Sequence, residues 1–98
     1  MAKQSYPHIK VPSGQKKSLA QLFSDAGLTA PTGEVGLEIQ NIDTTQEIRI
    51  FFGDQTGLEG AAGSPVPPMW AREEVEDFTN VYILGGGSDS FISVLVVS

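Results

Sequence analysis

Apolar and polar residues alternate with a period of two along most of this chain. Once, between residues 18 and 26, the period is helical. In Ser18-Leu19-Ala20-Gln21-Leu22-Phe23-Ser24-Asp25-Ala26, the residues Leu19, Leu22, Phe23 and Ala26 fall at i, i+3, i+4 and i+7, one apolar stripe. Ser18 is placed to cap the N-terminus, with Gln21 three residues on as in a capping box. Gly27 supplies the left-handed residue that ends a helix, and Leu28 can then fold back over the last turn. The pattern predicts one helix over 18–26. A helix this short does not hold itself together in water, so its stripe must pack on something.

Elsewhere the alternation predicts strands. His8-Ile9-Lys10-Val11 reads as a short strand that Pro12 confines to a sheet edge. Val35–Gln40 and Glu47–Phe52 flank a turn over 41–45, which predicts an antiparallel hairpin with Leu37, Ile39, Ile48, Ile50 and Phe52 on its inner face. Residues 53–68 are rich in glycine and proline and read as a long loop with a short edge segment near Val66. Over Arg72–Phe78 the alternation is poor, because Val75 and Phe78 have opposite parity. Either a bulge intervenes or Phe78 belongs to the next turn.

Asn80–Leu84 and Phe91–Val97, around Gly85-Gly86-Gly87-Ser88-Asp89-Ser90, are expected to form a second hairpin. Val81, Ile83, Phe91, Leu95 and Val97 would face one way, and Tyr82, Leu84, Ile92, Val94 and Val96 the other. A strand that is apolar on both faces is covered on both. One cover is the core; the other must be the 18–26 helix, the N-terminal segment or a second subunit. The expected fold is all-β: a small antiparallel β-sandwich or jelly-roll-like barrel of roughly six to eight short strands, with one short N-terminal helix.

Size and composition narrow this. At 98 residues the chain is one domain with a modest core. It has no cysteine and one histidine, His8, which rules out disulfides, thiolate metal sites and a histidine cluster. Oligomerisation is the remaining way to reinforce so small a domain. The formal net charge of −6 argues against nucleic acid or an anionic membrane as partner. Lys3, Lys10, Lys16 and Lys17 lie in residues 1–17 with no acid, whereas Arg49 and Arg72 stand against all twelve acids in 18–98. This divides the chain into a basic N-terminal arm, 1–17, and a sandwich domain, 18–98. Such an arm can dock on acidic protein surface, or be a solvated tail. No window has the ~18 apolar residues of a membrane helix, and the start of the chain lacks the apolar core of a signal peptide, so a soluble protein made in a cytoplasm is expected.

No group of residues assembles a catalytic or cofactor site. Gly85-Gly86-Gly87 lacks the spacing, helix and lysine of a phosphate loop and reads as a turn. Asp43, Asp54, Glu59 and Asp89 show no Asp-x-Asp spacing for calcium and suit local turn hydrogen bonds. Glu73, Glu74, Glu76 and Asp77 read as a solvated edge strand, guarded against stray pairing, before they read as an acid–base pair. His8 with Ser5 or Ser13 lacks a third member and rigid support. Trp70, beside Met69, has three open roles: a sugar-stacking platform, a plug for one end of the sandwich, or an anchor for a subunit contact. The expectation is a non-enzymatic protein with no cofactor and no metal. Its partner-binding candidates are Lys3, Tyr6, Ile9, Lys10, Val11, Lys16, Lys17, Trp70, Tyr82 and Leu84.

The order of features also resembles a known group. The short strand leads to Ser18–Phe23 and Gly27, then to Gly36-Leu37-Glu38-Ile39-Gln40-Asn41 and Ile48-Arg49-Ile50-Phe51-Phe52-Gly53-Asp54. A loop with Gly63-Ser64-Pro65-Val66-Pro67 follows, then Asn80-Val81-Tyr82-Ile83-Leu84-Gly85-Gly86 and Val94-Leu95-Val96. This is similar to the small β-sandwich virion structural proteins of tailed bacteriophages, including capsid decoration (cement) proteins, over residues 8–97. Two features depart from that pattern: the acid-laden Arg72–Phe78 strand and the long basic segment. The resemblance implies a virion protein that binds the outer capsid surface and stabilises the head, with the major capsid protein or other virion subunits as partners. It also implies self-association as a trimer or dimer. A tail or fibre component and a carbohydrate-binding module are the competing expectations.

Overall fold

A computed structural model describes residues 3–52 and 64–98. Eight strands form two four-stranded antiparallel sheets. The first sheet has the order β1-β8-β3-β6, built from β1 (Lys3–Val11), β8 (Ser90–Val97), β3 (Glu34–Asn41) and β6 (Ala71–Asp77). The second has the order β2-β7-β4-β5, from β2 (Lys16–Ser18), β7 (Val81–Leu84), β4 (Ile48–Phe52) and β5 (Ser64–Val66). Strand β1 thus pairs with β8, β2 with β7, β3 with β6 and β4 with β5. This is the nested pairing of a jelly roll.

The all-β sandwich expectation holds, but the two expected hairpins do not. β3 and β4 lie in opposite sheets, and so do β7 and β8. Alternation reports which residues face inward, not which strand lies alongside. Leu37 and Ile39 do share the core with Ile48, Ile50 and Phe52, but across the sandwich, not along a ladder. In β8 the inward residues are Ile92, Val94 and Val96, with Phe91, Leu95 and Val97 half-buried on the outer face. In β7, Val81 and Ile83 face inward.

The helix α1 spans Leu19–Asp25. Ser18 Oγ accepts from the Gln21 amide at 3.0 Å, while the Gln21 side chain turns forward to Asp25 at 2.7 Å, so only half of the capping box forms. Gly27 (φ 77°) ends the helix, and the Leu28 amide donates to the Phe23 carbonyl at 2.8 Å. Leu19, Leu22 and Phe23 enter the same core as the strands. Phe23 packs edge-on against Phe78, with ring centroids 5.0 Å apart, and lies 4.6 Å from the Tyr6 ring. Phe78 belongs to a single 3₁₀ turn, Phe78–Asn80, capped by Asp77, which resolves its parity against Val75.

The division into an arm and a body is corrected. Residues 3–11 are an edge strand of the first sheet, and residues 16–18 are an edge strand of the second. Ile9 and Val11 are 0% exposed and belong to the core. The short edge strand expected at 8–11 is there but begins at Lys3, and its inward residues, Tyr6, Ile9 and Val11, lie on either side of a register shift at Pro7-His8.

Candidate functional site

Gly85, Gly86 and the 12–15 turn pack backbone to backbone. Gly14 N donates to Gly86 O at 3.0 Å. A Cβ on Gly85 would overlap the Pro12 carbonyl, and one on Gly86 would come 2.7 Å from Gln46 Oε1. Close backbone packing thus requires glycine at 85, whereas a side chain at 86 would displace the Gln46 amide and crowd the Glu47 carbonyl. Asp43 Oδ1 accepts from the amides of Thr45 (2.8 Å) and Gln46 (2.9 Å), and these bonds hold its carboxyl below the ordinary value. Asp89 accepts from the Ser13 amide and from Lys10, with the same effect. Both acids are thus occupied in shaping turns. Asp54 and Glu59 lie outside the described residues. Among the described residues no group of three or more His, Cys, Asp or Glu side chains could hold a metal. The His8 ring stacks flat on Phe91, 4.2 Å between centroids, and shields that outward aromatic.

The partner-binding candidates separate. Ile9 and Val11 are corrected: both are sealed in the core and cannot touch a partner through their side chains. Tyr6 is half-buried against Phe23. Tyr82 and Leu84 are half-buried on the outer face of the second sheet, in register with Phe51 and Arg49. Lys16 Nζ sits 4.9 Å over the Phe51 ring, and Lys17 pairs with Asp25 at 3.0 Å. Lys3 and Lys10 are exposed on β1, the latter bridged to Asp89 at 3.2 Å.

Trp70 is 66% exposed, so it plugs nothing. Its turn is nevertheless fastened. Asn41, fully buried at the end of β3, donates its amide N–H to Trp70 O and accepts from Met69 N, both at 2.8 Å. The Asn41 side chain donates to Gln46 O (2.6 Å) and Val66 O (3.0 Å). Met69 has φ 67°, a left-handed conformation uncommon outside glycine. A tied, locally strained turn therefore holds Met69 and Trp70 outward. Asn41 gave no sequence signal beyond its place in a turn.

From that turn the chain runs into β6, which buries no residue. Arg72, Glu74 and Glu76 are half-buried on the core side, opposite Ile39, Leu37 and Val35 of β3. Arg72 stands over the Phe52 ring (5.4 Å) and pairs with Glu74 at 3.2 Å, closing the seam between the sheets with polar groups. Ala71, Glu73 and Val75 point outward and are exposed. The acids thus alternate between the strand's two faces and do not converge as an acid–base pair. Beside them an open groove of about 470 Å³ crosses the outer face, with Val75, Leu95 and Val97 around Gly36, whose missing side chain leaves the space.

Met69 (56%), Trp70 (66%) and Val75 (64%) are the large hydrophobics exposed among the described residues, and all three lie on this one edge. Isolated exposed apolar residues are ordinary, but a group of them on an open sheet edge is an exposure that native edges ordinarily avoid.

No family model matches the chain. No curated protein matches it either. Among solved structures it is similar to a protein of Bacillus endospore appendages, which form a family of disulfide-linked pili. That match has a TM-score of 0.52 and 15% identity, covering 99% of this chain and 87% of that one. A second similarity is to the SPBc2 prophage-derived protein YomS, with a TM-score of 0.44 and 16% identity over 99% of this chain and 94% of that one. At this identity the first match shows a shared fold.

Proposed function

We propose that this chain is a non-enzymatic structural protein that works by binding other protein subunits. In its most specific form the reading is a bacteriophage head decoration protein, located in the virion, that docks on the outer capsid surface and stabilises the shell. The observation that carries the proposal is the edge from Met69 to Asp77, where Met69 and Trp70 stand exposed in the turn and Val75 stands exposed among acids on a strand with no core residue of its own. A fully buried Val or Leu side chain is worth about 1.5–3 kcal/mol, so covering this row alone supplies a useful contact. The strand-and-turn order that resembles phage decoration proteins supports the finer form, and a tail or fibre position would use the same surface. The fold also occurs in a protein of disulfide-linked pili. This chain has no cysteine, so disulfides do not link its own assemblies.

The sugar-binding reading has less support. The groove beside Trp70, about 220 Å³, is bounded by Pro65, Val66, Pro67, Ala71 and Arg72, and Arg72 is already engaged by Glu74 and Phe52. The test is co-sedimentation of the chain with phage heads stripped of their decoration protein, beside a glycan array. Saturable binding to heads, weakened about tenfold or more by Trp70→Ala, is expected. Glycan binding without head binding would overturn the proposal.

A further inference from the structure

Both edges of the first sheet are open among the described residues, and they differ in charge. β1 carries Lys3 and Lys10 with no acid of its own, Lys10 being bridged to Asp89 near the far end of the strand. β6 carries four acids against one arginine. Pairing β6 with another β6 sets acids against acids, and like charges directly opposite destabilise a ladder. Pairing β1 with β1 offers its lysines no acid. The pairing that brings opposite charges together is β1 with β6.

Strand direction allows it. β1, β8, β3 and β6 alternate in direction, so a sheet of four strands has antiparallel edges. Two copies in the same orientation, side by side, therefore place β1 of one antiparallel to β6 of the next. One cross-strand row runs Lys3, Val97, Gly36, Val75. Continuing that row into a neighbour brings its Lys3 beside Val75, with Glu73 and Asp77 two residues to either side. The Val97, Gly36, Val75 groove then lies next to the junction. The register shift between Tyr6 and Ile9, and Pro7 with no N–H to donate, limit the ladder to short segments of β1.

We infer that the acidic Met69–Asp77 edge docks the basic β1 edge of a second copy of this chain, head to tail. This rests on reading that edge as a protein-contact surface, and it names the occupant. Head-to-tail contacts are heterologous, so they propagate into rings or filaments instead of stopping at a two-fold dimer.

Sedimentation velocity of the full chain, up to about 1 mM, is the experiment. The wild type should associate beyond a dimer as concentration rises, and salt should weaken this. Lys3→Glu with Lys10→Glu, and separately Glu73→Lys with Val75→Lys, all at exposed positions, should each abolish association. An equimolar mixture of the two double variants should restore it, because each then offers the edge the other lacks. A wild type monomeric throughout overturns the inference. So does association that survives both double variants, strengthens with salt, or is not restored on mixing. Head binding by a chain that never self-associates would remove this inference and leave the proposed function standing.

Discussion

The two edge strands of the first sheet, β1 and β6, have the same rank in the architecture and opposite attachments. β1 is held from within: Ile9 and Val11 are 0% exposed, and Tyr6 packs on Phe23 of the helix. β6 is held along its backbone by β3, with Arg72, Glu74 and Glu76 where core residues would otherwise sit. An edge strand that contributes to the core is part of what makes the domain fold. One that contributes nothing inward can be spent on an outside contact. The charge that marks the N-terminus as an arm sits on the first kind of strand, and the acid run that marks 72–78 as mere solvated edge sits on the second.

Breaking β1 should have the largest effect. Deleting residues 1–12 removes a strand and two core residues, so the shortened chain should show no cooperative urea transition. Retained cooperative folding would reinstate the arm. Ile9→Ala should cost about 2–5 kcal/mol and Phe23→Ala about 3–5 kcal/mol in urea unfolding. A loss below 1 kcal/mol, about the level of an exposed position, would contradict the burial.

Asn41→Ala tests the side-chain tie between the end of β3, the 43–46 turn and β5. It leaves the Gln46 and Val66 carbonyls without their donor and should cost about 2–3 kcal/mol in urea unfolding. The backbone bonds to Met69 and Trp70 remain, so Trp70 fluorescence in the folded state should change little. On β6 and the turn before it, Val75→Ser and Trp70→Ala should move stability by no more than about 0.5 kcal/mol while weakening partner binding. Gly36→Ala should be the mildest. A Cβ there meets Val97 Cβ at 3.4 Å, an ordinary contact, and removing a strand glycine stabilises by about 0.5 kcal/mol.

Acid should act through the turns. Asp43, Asp77 and Asp89 have carboxyls held below 3.8 by hydrogen bonds, from the Thr45 amide, the Thr79 hydroxyl and the Ser13 amide respectively. A carboxyl depressed in the folded state stabilises above its unfolded value, and that contribution is lost as pH falls from 3.8 through the lower folded value. Stability should therefore be level near neutrality and fall below about pH 4, less steeply in Asp43→Asn. A loss of stability centred near pH 6 would contradict this assignment.

Much of the fold was legible in local pattern. Ser18, Leu22, Phe23 and Gly27 specified the helix and its cap through short-range chemistry, and the alternation around Leu37 and Ile50 told which side of those strands faces inward. Pairing was not legible. β7 and β8 are each apolar on both faces, which fits a hairpin as well as two strands in opposite sheets, and only the closed sandwich decides. The site was half legible. Trp70 stood out as a loop aromatic, but its neighbours on the edge did not. Val75 stood in a run of acids with its parity against Phe78 unsettled, and its outward direction follows from pairing with Gly36. Asn41 was silent because its five partners are residues 43, 46, 66, 69 and 70, most of them distant in the chain.

The most direct test of the contact edge is amide hydrogen exchange of the full chain, free and assembled. In the free protein the core amides of β8 and β3 should be slow and those of 69–77 fast. On assembly, with further copies or on phage heads, protection should rise within 69–77, with a matching gain on β1 where the neighbour is another copy. Protection gained instead on the outer face of β7, around Tyr82 and Leu84, with 69–77 unchanged, would show that the protein meets its partners elsewhere.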